Sequence, residues 1–226
     1  MTMRFLGLLR RRPWLVAALL ATVAVVASAP AAAGDGHRER ERLTARDMSL
    51  ASTVALRPAD VSAAWRSTSV PAGSGDTRCA GFDPDFSHLT ITGKAKTAFA
   101  NANGESIVSL VEVYASKRQA VEDYTLGAKA AVARCLRTTL ERAVPAGGVK
   151  LRVRSSRMQT LAGVGERSAA FRLVADVSAG NVVVPIYLDA LVFQRGRTVT
   201  ALLFTSVRTR LPGQLKLATT VAGRMR

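Results

Sequence analysis

The sequence predicts an α+β fold: a single antiparallel β-sheet with a long helix and a C-terminal helix packed on it. Three observations carry that prediction. Residues 105–140 read as one strand running straight into one helix. Residues 149–206 alternate in successive hairpin-like stretches. From Leu211 onward helical spacing returns.

The 226 residues are expected to hold one domain behind an export segment. Arg4 and Arg10-Arg11-Arg12 precede the uncharged apolar stretch Trp14 to Ala29, and Ala31-Ala32-Ala33 leads into Gly34-Asp35-Gly36. A basic, then apolar, then A-x-A layout marks residues 1–33 as a secretory signal peptide cut after Ala33. The alternative is an uncleaved membrane anchor, since Trp14 to Ala33 spans about 20 residues, enough to cross a bilayer. Either way the remainder is secreted, on the extracytoplasmic side. Residues 34–48 read as a charged tether in which Arg and Glu alternate, and 49–226 as the single secreted domain.

Charge is the outlying property. The chain carries +16, and loss of the four arginines of the leader leaves +12. From Arg142 on, fourteen Lys or Arg face only Glu166, Asp176 and Asp189. Such a field favours an anionic partner, with codon bias towards Arg and Ala as the bland alternative. Nucleic acid is not expected, because the chain is exported and has no basic-aromatic motif.

Before the first long strand, Leu56 to Val61 reads as a turn around Pro58, Trp65 as a core or rim anchor, and residues 71–76 as a loop. Cys79 follows, and the only other cysteine is Cys135. In an exported chain with no Cys/His cluster, one structural disulfide Cys79–Cys135 is the simplest reading. A reactive thiol and an intermolecular bridge are the alternatives. The loop it closes would contribute roughly 3–4 kcal/mol by the chain-entropy account. Asp83 and Asp85, flanking Pro84 between Phe82 and Phe86, read as a turn, since a metal site would need further oxygen ligands.

Leu89 to Ala100 is a strand, and Asn101 to Gly104 turns it into the central strand, Ser106 to Ala115, apolar on both faces. Ser116 and Gln119 form an S-x-x-Q capping box, opening a helix whose stripe runs from Val121 to Leu140. Beyond the loop at 145–148, Val149, Leu151 and Val153 alternate with Lys150, Arg152 and Arg154, and Arg157 lies close by. Cations about 7 Å apart along one strand face match a polyanion; charge protection of an edge strand is the alternative. Gly163-Val-Gly165 is a turn before the strand Ala169 to Val177. Residues 178–181 turn again into Val182 to Phe193, where Pro185 indicates an edge or bulge. An Arg195-Gly196 turn sets Leu188, Ala190 and Val192 against Leu203, Ala201 and Val199, all core-like, with Tyr187, Asp189, Leu191 and Phe193 on the other face. Asp189, the one acid of that hairpin, either pairs with an arginine or lines a pocket; Trp65, Tyr187 and Asp189 are the candidate pocket residues. The closing helix carries Pro212 in its first turn.

No catalytic residue, cofactor or metal ligand stands out, and His88 is the one histidine of the folded body.

Several of these stretches resemble a family. They are Leu56, Pro58 to Val61, Trp65, Cys79, Val111 to Ser116, Ala120, Cys135-Leu136 and Arg195 to Ser206. Together they are similar to small secreted actinobacterial proteins related to the extracellular sensor domain of PknH-type mycobacterial receptor serine/threonine kinases. The resemblance implies a helix-flanked antiparallel sheet with a cleft, although this chain has one cysteine pair and no kinase domain. The expected function is a non-catalytic, sensor-like or ligand-binding domain at the cell envelope, for a small molecule or an anionic envelope component. The rivals are an exported hydrolase and an assembly protein using a sheet edge.

Overall fold

The computed structural model describes residues 39–70, 82–128, 134–135, 137–138, 149–207 and 209–225. Eight strands form one sheet: β1 (Arg40–Glu41), β2 (Arg66–Thr68), β3 (Thr90–Ala100), β4 (Ser106–Tyr114), β5 (Val149–Thr160), β6 (Arg167–Ala179), β7 (Val182–Arg195) and β8 (Thr198–Val207). Their order is β1-β3-β4-β8-β7-β6-β5, with β2 also on β3. Among the described residues the helices are α1 (Ala45–Val54), α2 (Lys117–Gly127) and α3 (Gln214–Ala222), with a 3₁₀ turn at Pro58–Asp60. Among the described residues no helix is long and apolar enough to cross a membrane.

The fold is α+β, but the sheet is mixed rather than wholly antiparallel, because β1 runs parallel to β3. A parallel pair needs a long crossover, and the chain between Glu41 and Thr90 supplies one that contains α1. Strand β1 lies inside the stretch read as tether, and α1 begins within it. Thr44 caps α1 by accepting from the Asp47 amide at 3.2 Å.

The helices divide between the two faces. α1 and α3 cover one face, where Ala51, Val54, Ala218 and Val221 pack with Phe99, Ile107, Val111, Leu191, Phe193 and Phe204. α2 lies on the other, its Ala120 buried with Leu89, Ile91, Tyr114 and Val199. Two hydrogen bonds, one buried and one partly buried, fasten the exit of α1 to the sheet: the Leu56 amide donates to Ser109 Oγ at 3.2 Å, and Thr97 Oγ1 donates to the Leu56 carbonyl at 2.9 Å. At the far end of the chain Arg224 meets Asp60 at 2.7 Å.

β4 lies between β3 and β8, the inner position its apolar pattern predicts. Ser116 caps α2 by accepting from the Gln119 amide at 3.3 Å, but the second half of the expected capping box is absent. The Gln119 side chain instead bridges the Thr90 amide and the His88 carbonyl, tying α2 to the start of β3. Helical residues recur at 134–135 and 137–138; the remainder of the helix expected to reach Leu140 lies outside the described residues.

The β7–β8 hairpin turns one residue later than expected. Arg195 pairs with Thr198, so Gly196 and Arg197 form the turn, and Ala190 faces Leu203. The pairing slips by two residues, which leaves every side chain on its expected face. Gly196 takes a positive φ of 55°, as a two-residue hairpin turn requires. Pro185 pairs with Asp176 of β6 and lies just ahead of Ile186, which pairs with Val207 of β8. Pro212 lies ahead of α3, whose N-cap is Gly213, and Leu215 is exposed.

The Arg197 side chain reaches back across the sheet end. It donates to both carboxylate oxygens of buried Asp47, at 2.8 and 3.2 Å, and to the Tyr114 carbonyl at 2.9 Å. The hydrogen bond from Arg197 holds the Asp47 carboxyl below its ordinary range. Gly93 lies directly under this helix end, and a Cβ there would fall on the Asp47 carbonyl. Gly93→Ala is therefore expected to lower stability by about 3 kcal/mol through overpacking, and Asp47→Asn by about 2 kcal/mol. Urea unfolding of each variant checks both. The Asp47 contribution is present above the unfolded carboxyl range and is lost as pH falls through its lowered folded value, so the Asp47→Asn deficit should shrink in acid.

Candidate functional site

β5 and β6 place the basic residues. Before a bulge between Val153 and Ser155, Leu151 and Val153 pack on the α2 face with Leu173, Ala175 and Leu188. Lys150 and Arg152 therefore project from the opposite face, as the alternation predicts, and both are exposed. Arg154 sits in the bulge and reaches Asp176 at 3.2 Å. Beyond the bulge Arg157 stands directly opposite Arg172 of β6. Asp189 of β7 is paired with Arg172 in register and lies 3.7 Å from its Nε. The same buried carboxylate accepts from Arg210 Nε at 2.9 Å and from Gln214 Nε2 at 2.7 Å.

The strand face thus gathers Lys150, Arg152, Arg154, Arg157, Arg172 and Arg210 around two carboxylates, Asp176 and Asp189. Like charges directly opposite across a strand pair repel. No carboxylate among the described residues pairs with Arg157. Sequence reasoning found the four cations of β5 and missed Arg172 and Arg210. The β5–β6 register, which the turn at Gly163–Gly165 sets up, is the signal that would have revealed Arg172.

Of the candidate pocket residues, Asp189 is buried in its ion pairs and Tyr187 is half-buried two positions along the same strand face. Trp65 is half-buried against the main core, ahead of β2. A cleft of about 400 Å³ opens on the α2 face and is lined by other residues, among them Tyr124 and Thr125 of α2, Met158 and Thr160 of β5, and Arg167 of β6. Burial pushes the Tyr124 hydroxyl above its ordinary range, while the Arg167 charge pulls it down.

A third cluster lies where α2 meets β4. Tyr114 is fully buried, and its hydroxyl donates to Glu112 Oε2 at 3.0 Å. The charge of Asp123 in α2 also acts on that hydroxyl. Burial, then the neighbouring acid Glu39, raises Glu112; burial, then Glu112 itself, raises Asp123 well above the carboxylate range. Among the described residues no group of three His, Cys, Asp or Glu is placed to hold a metal ion. His88 pairs with Glu122 at the surface, at 2.8 Å. The turn at residues 82–86 is held by Asp85, which accepts from the Ser87 amide at 2.8 Å, while Phe86 is buried. Cys135 is buried, and Cys79 lies outside the described residues.

No protein-family model matches the chain, and no curated protein matches it.

The two halves of the basic face should respond oppositely to substitution. Asp189→Ala leaves Arg172, Arg210 and Gln214 around an empty carboxylate position and is expected to cost about 3–5 kcal/mol. Arg157→Thr removes one of two opposed charges and should stabilise by a few tenths of a kcal/mol, up to about 1. Urea unfolding at low and high salt distinguishes them, since only the Arg157→Thr gain is expected to fade with screening.

Proposed function

We propose that the chain is an exported, non-catalytic domain that binds an anionic component of the cell envelope on the exposed basic face of β5 and β6. The observation that carries this reading is the opposition of Arg157 and Arg172. A fold gains nothing by setting two guanidinium groups against each other, whereas an oxyanion between them relieves the repulsion and accepts from both forks. Lys150, Arg152 and Arg154 extend the same positive surface along the strand, which suits a ligand with several anionic groups. The resemblance to receptor-kinase sensor domains supports a sensor-like role for such binding. In this proposal residues 1–33 direct export, and Cys79–Cys135 staples the lead segment to the end of the main helix.

A second reading rests on the cleft beside α2. There Arg167 approaches the Tyr124 hydroxyl, and both could orient the acid group of a small molecule.

Two measurements test these readings. The secreted protein should begin at Gly34, and both cysteines should resist alkylation until reduced; an uncut leader or two freely alkylated thiols would reject the export and disulfide proposals. Binding of that protein to phosphatidylglycerol-containing vesicles and to long-chain polyphosphate is then compared with binding to neutral vesicles. Binding to at least one anionic probe should weaken about tenfold between about 50 and 300 mM salt. It should drop at least as much in the Arg157→Gln/Arg172→Gln double variant. Salt-insensitive binding, or full binding by the double variant, would sink the basic-face reading; loss on Arg167→Gln alone would favour the cleft.

A further inference from the structure

β5, β6 and β7 run out together at one end of the sheet. Among the described residues β8 pairs with β7 only as far as Ile186, whereas β6 pairs with β7 to its first residue, Val182, and β5 still faces β6 at Val149. The projecting end is the β6–β7 turn, Gly180-Asn181, with Gly180 at a positive φ of 58°. From Val177 to Leu188 the sequence carries no charged residue, in a chain of which 21% is Asp, Glu, Lys or Arg. Val182 and Val183 follow the turn and are exposed, and Val183, at 59%, is the most exposed large apolar side chain among the described residues. A single surface valine needs no explanation, but two at the tip of a projecting hairpin form a convex apolar edge. Threonine would build the same strand without it.

Cations lie directly behind this tip. Lys150, Ser178 and Val183 stand in one row across β5, β6 and β7, and Arg152, Asp176 and Pro185 form the row about 7 Å further back. Opposed residues share a face, so Val183 lies on the basic face and Val182 on the other. Asp176 is engaged by Arg154 at 3.2 Å, and among the described residues no ion pair holds Lys150 or Arg152. Arg157 and Arg172 share that face, level with Asp189 and about 20 Å along β7 from Val183. From the tip inward the order is therefore apolar, then cationic. A bilayer offers the complement, anionic headgroups at its surface and acyl chains a few Å below. Two valines bury too little area to hold a globular partner, whereas lipid closes around a convex tip.

We propose that the β6–β7 tip is a wedge that enters an anionic lipid surface: Val182 and Val183 insert below the headgroups while Lys150 and Arg152 hold the phosphates. Such a wedge presupposes the basic-face reading and gives its ligand a chemical class. Electrostatic attraction brings the face down, each cation near the surface adding to it, but salt screens that attraction. The valines add burial of apolar surface, which salt does not screen. Lys150, level with Val183, keeps its ammonium among the headgroups on its long flexible stem. Because Val183 shares a face with the cations, a tilted approach brings Arg157 and Arg172 onto the same surface.

The test compares the secreted protein on phosphatidylglycerol-containing vesicles and on long-chain polyphosphate, which carries phosphates without an acyl layer. Val182→Thr/Val183→Thr keeps both side chains β-branched and should weaken vesicle binding about tenfold while leaving polyphosphate binding unchanged. Lys150→Gln/Arg152→Gln should also weaken vesicle binding, by removing the attraction behind the tip. In Val183→Trp the indole emission should shift to the blue on these vesicles and be quenched by brominated acyl chains. The wild-type protein, whose Trp65 packs against the main core, gives the baseline. Unchanged vesicle binding by the threonine variant overturns the wedge, and so does a Val183→Trp emission indifferent to bound vesicles, which holds even if the threonine variant fails to fold. Binding to polyphosphate alone, lost in Arg157→Gln/Arg172→Gln, overturns the wedge and leaves the basic-face reading standing. Binding to neither probe overturns both.

Discussion

The pairing of Arg197 with Asp47 is the constraint on which the rest of the architecture depends. Arg197 sits in the two-residue turn of the β7–β8 hairpin, and Asp47 lies in the first turn of α1. Between them runs the end of β4, whose Tyr114 carbonyl takes a third hydrogen bond from the same guanidinium. Three segments far apart in sequence are thus locked at one end of the sheet. The lock is possible only because Gly93 lets the helix backbone descend onto β3. It also fixes which face α1 covers. The neighbouring Tyr114 side chain, one strand position beyond the main-core Val113, points to the opposite face and into the acid cluster beneath α2.

From that end of the sheet the charge distribution follows. Near the lock, β4 and β8 are buried or half-buried throughout and Glu112 is their one charged residue, while β3 carries Lys94 and Lys96. The strands farthest from it, β6 and β5, run out towards an edge among the described residues, and the cations gather there. Asp189 marks the boundary. It is buried under α3, holds Arg210 and Gln214, and has only a longer contact left for Arg172. Arg172 is therefore anchored without being neutralised, and Arg157 stands against it. A surface protected only against edge-to-edge association would need charge but not opposed charge. That distinction favours a ligand over simple protection.

Much of the sheet was legible because period-2 patterns survive small errors. The sequence places the β7–β8 turn one residue early and reads Leu188, Ala190 and Val192 as the core-like set; the grouping by face holds, but it is Leu191 and Phe193 that lie in the main core. The strand leading to Tyr114 and the Ser116 cap were legible for a similar reason, since both are local signals. α1 was not. Its sequence, ARDMSLASTV, follows a run of alternating Arg and Glu and has only a narrow apolar stripe, Ala51 and Val54, so its stability comes from docking rather than from its own composition. β1 is two residues long and charged, and only the edge of β3 makes it a strand. At the sites, the β5 cations were visible as an alternation. Arg172 and Arg210 become neighbours only through register and a loop. Glu112 is as odd an acid in its apolar strand as Asp189 is in its hairpin, and the hydroxyl that meets it belongs to Tyr114, two positions along the same strand face.

Among the described residues Asp47 and Asp189 are buried acids, whereas Glu112 is only partly so, and their partners differ as well. Asp47 and Asp189 each receive a guanidinium; at Asp47 the charged form is the one the fold accommodates, and acid is what weakens that contact. Glu112 receives the Tyr114 phenol, while the lysine opposite it is held by Glu41. Burial and the neighbouring Glu39 raise it, so its charged form is the one the fold resists. Asp47 and Glu112 thus bear on the same residue, the first through Arg197 at the Tyr114 carbonyl and the second at the Tyr114 hydroxyl. The Tyr114 ring packs with Ala120 of α2 while its carbonyl is tied to α1 and the β7–β8 turn, so this one residue at the end of the central strand couples the helical layers on both faces of the sheet.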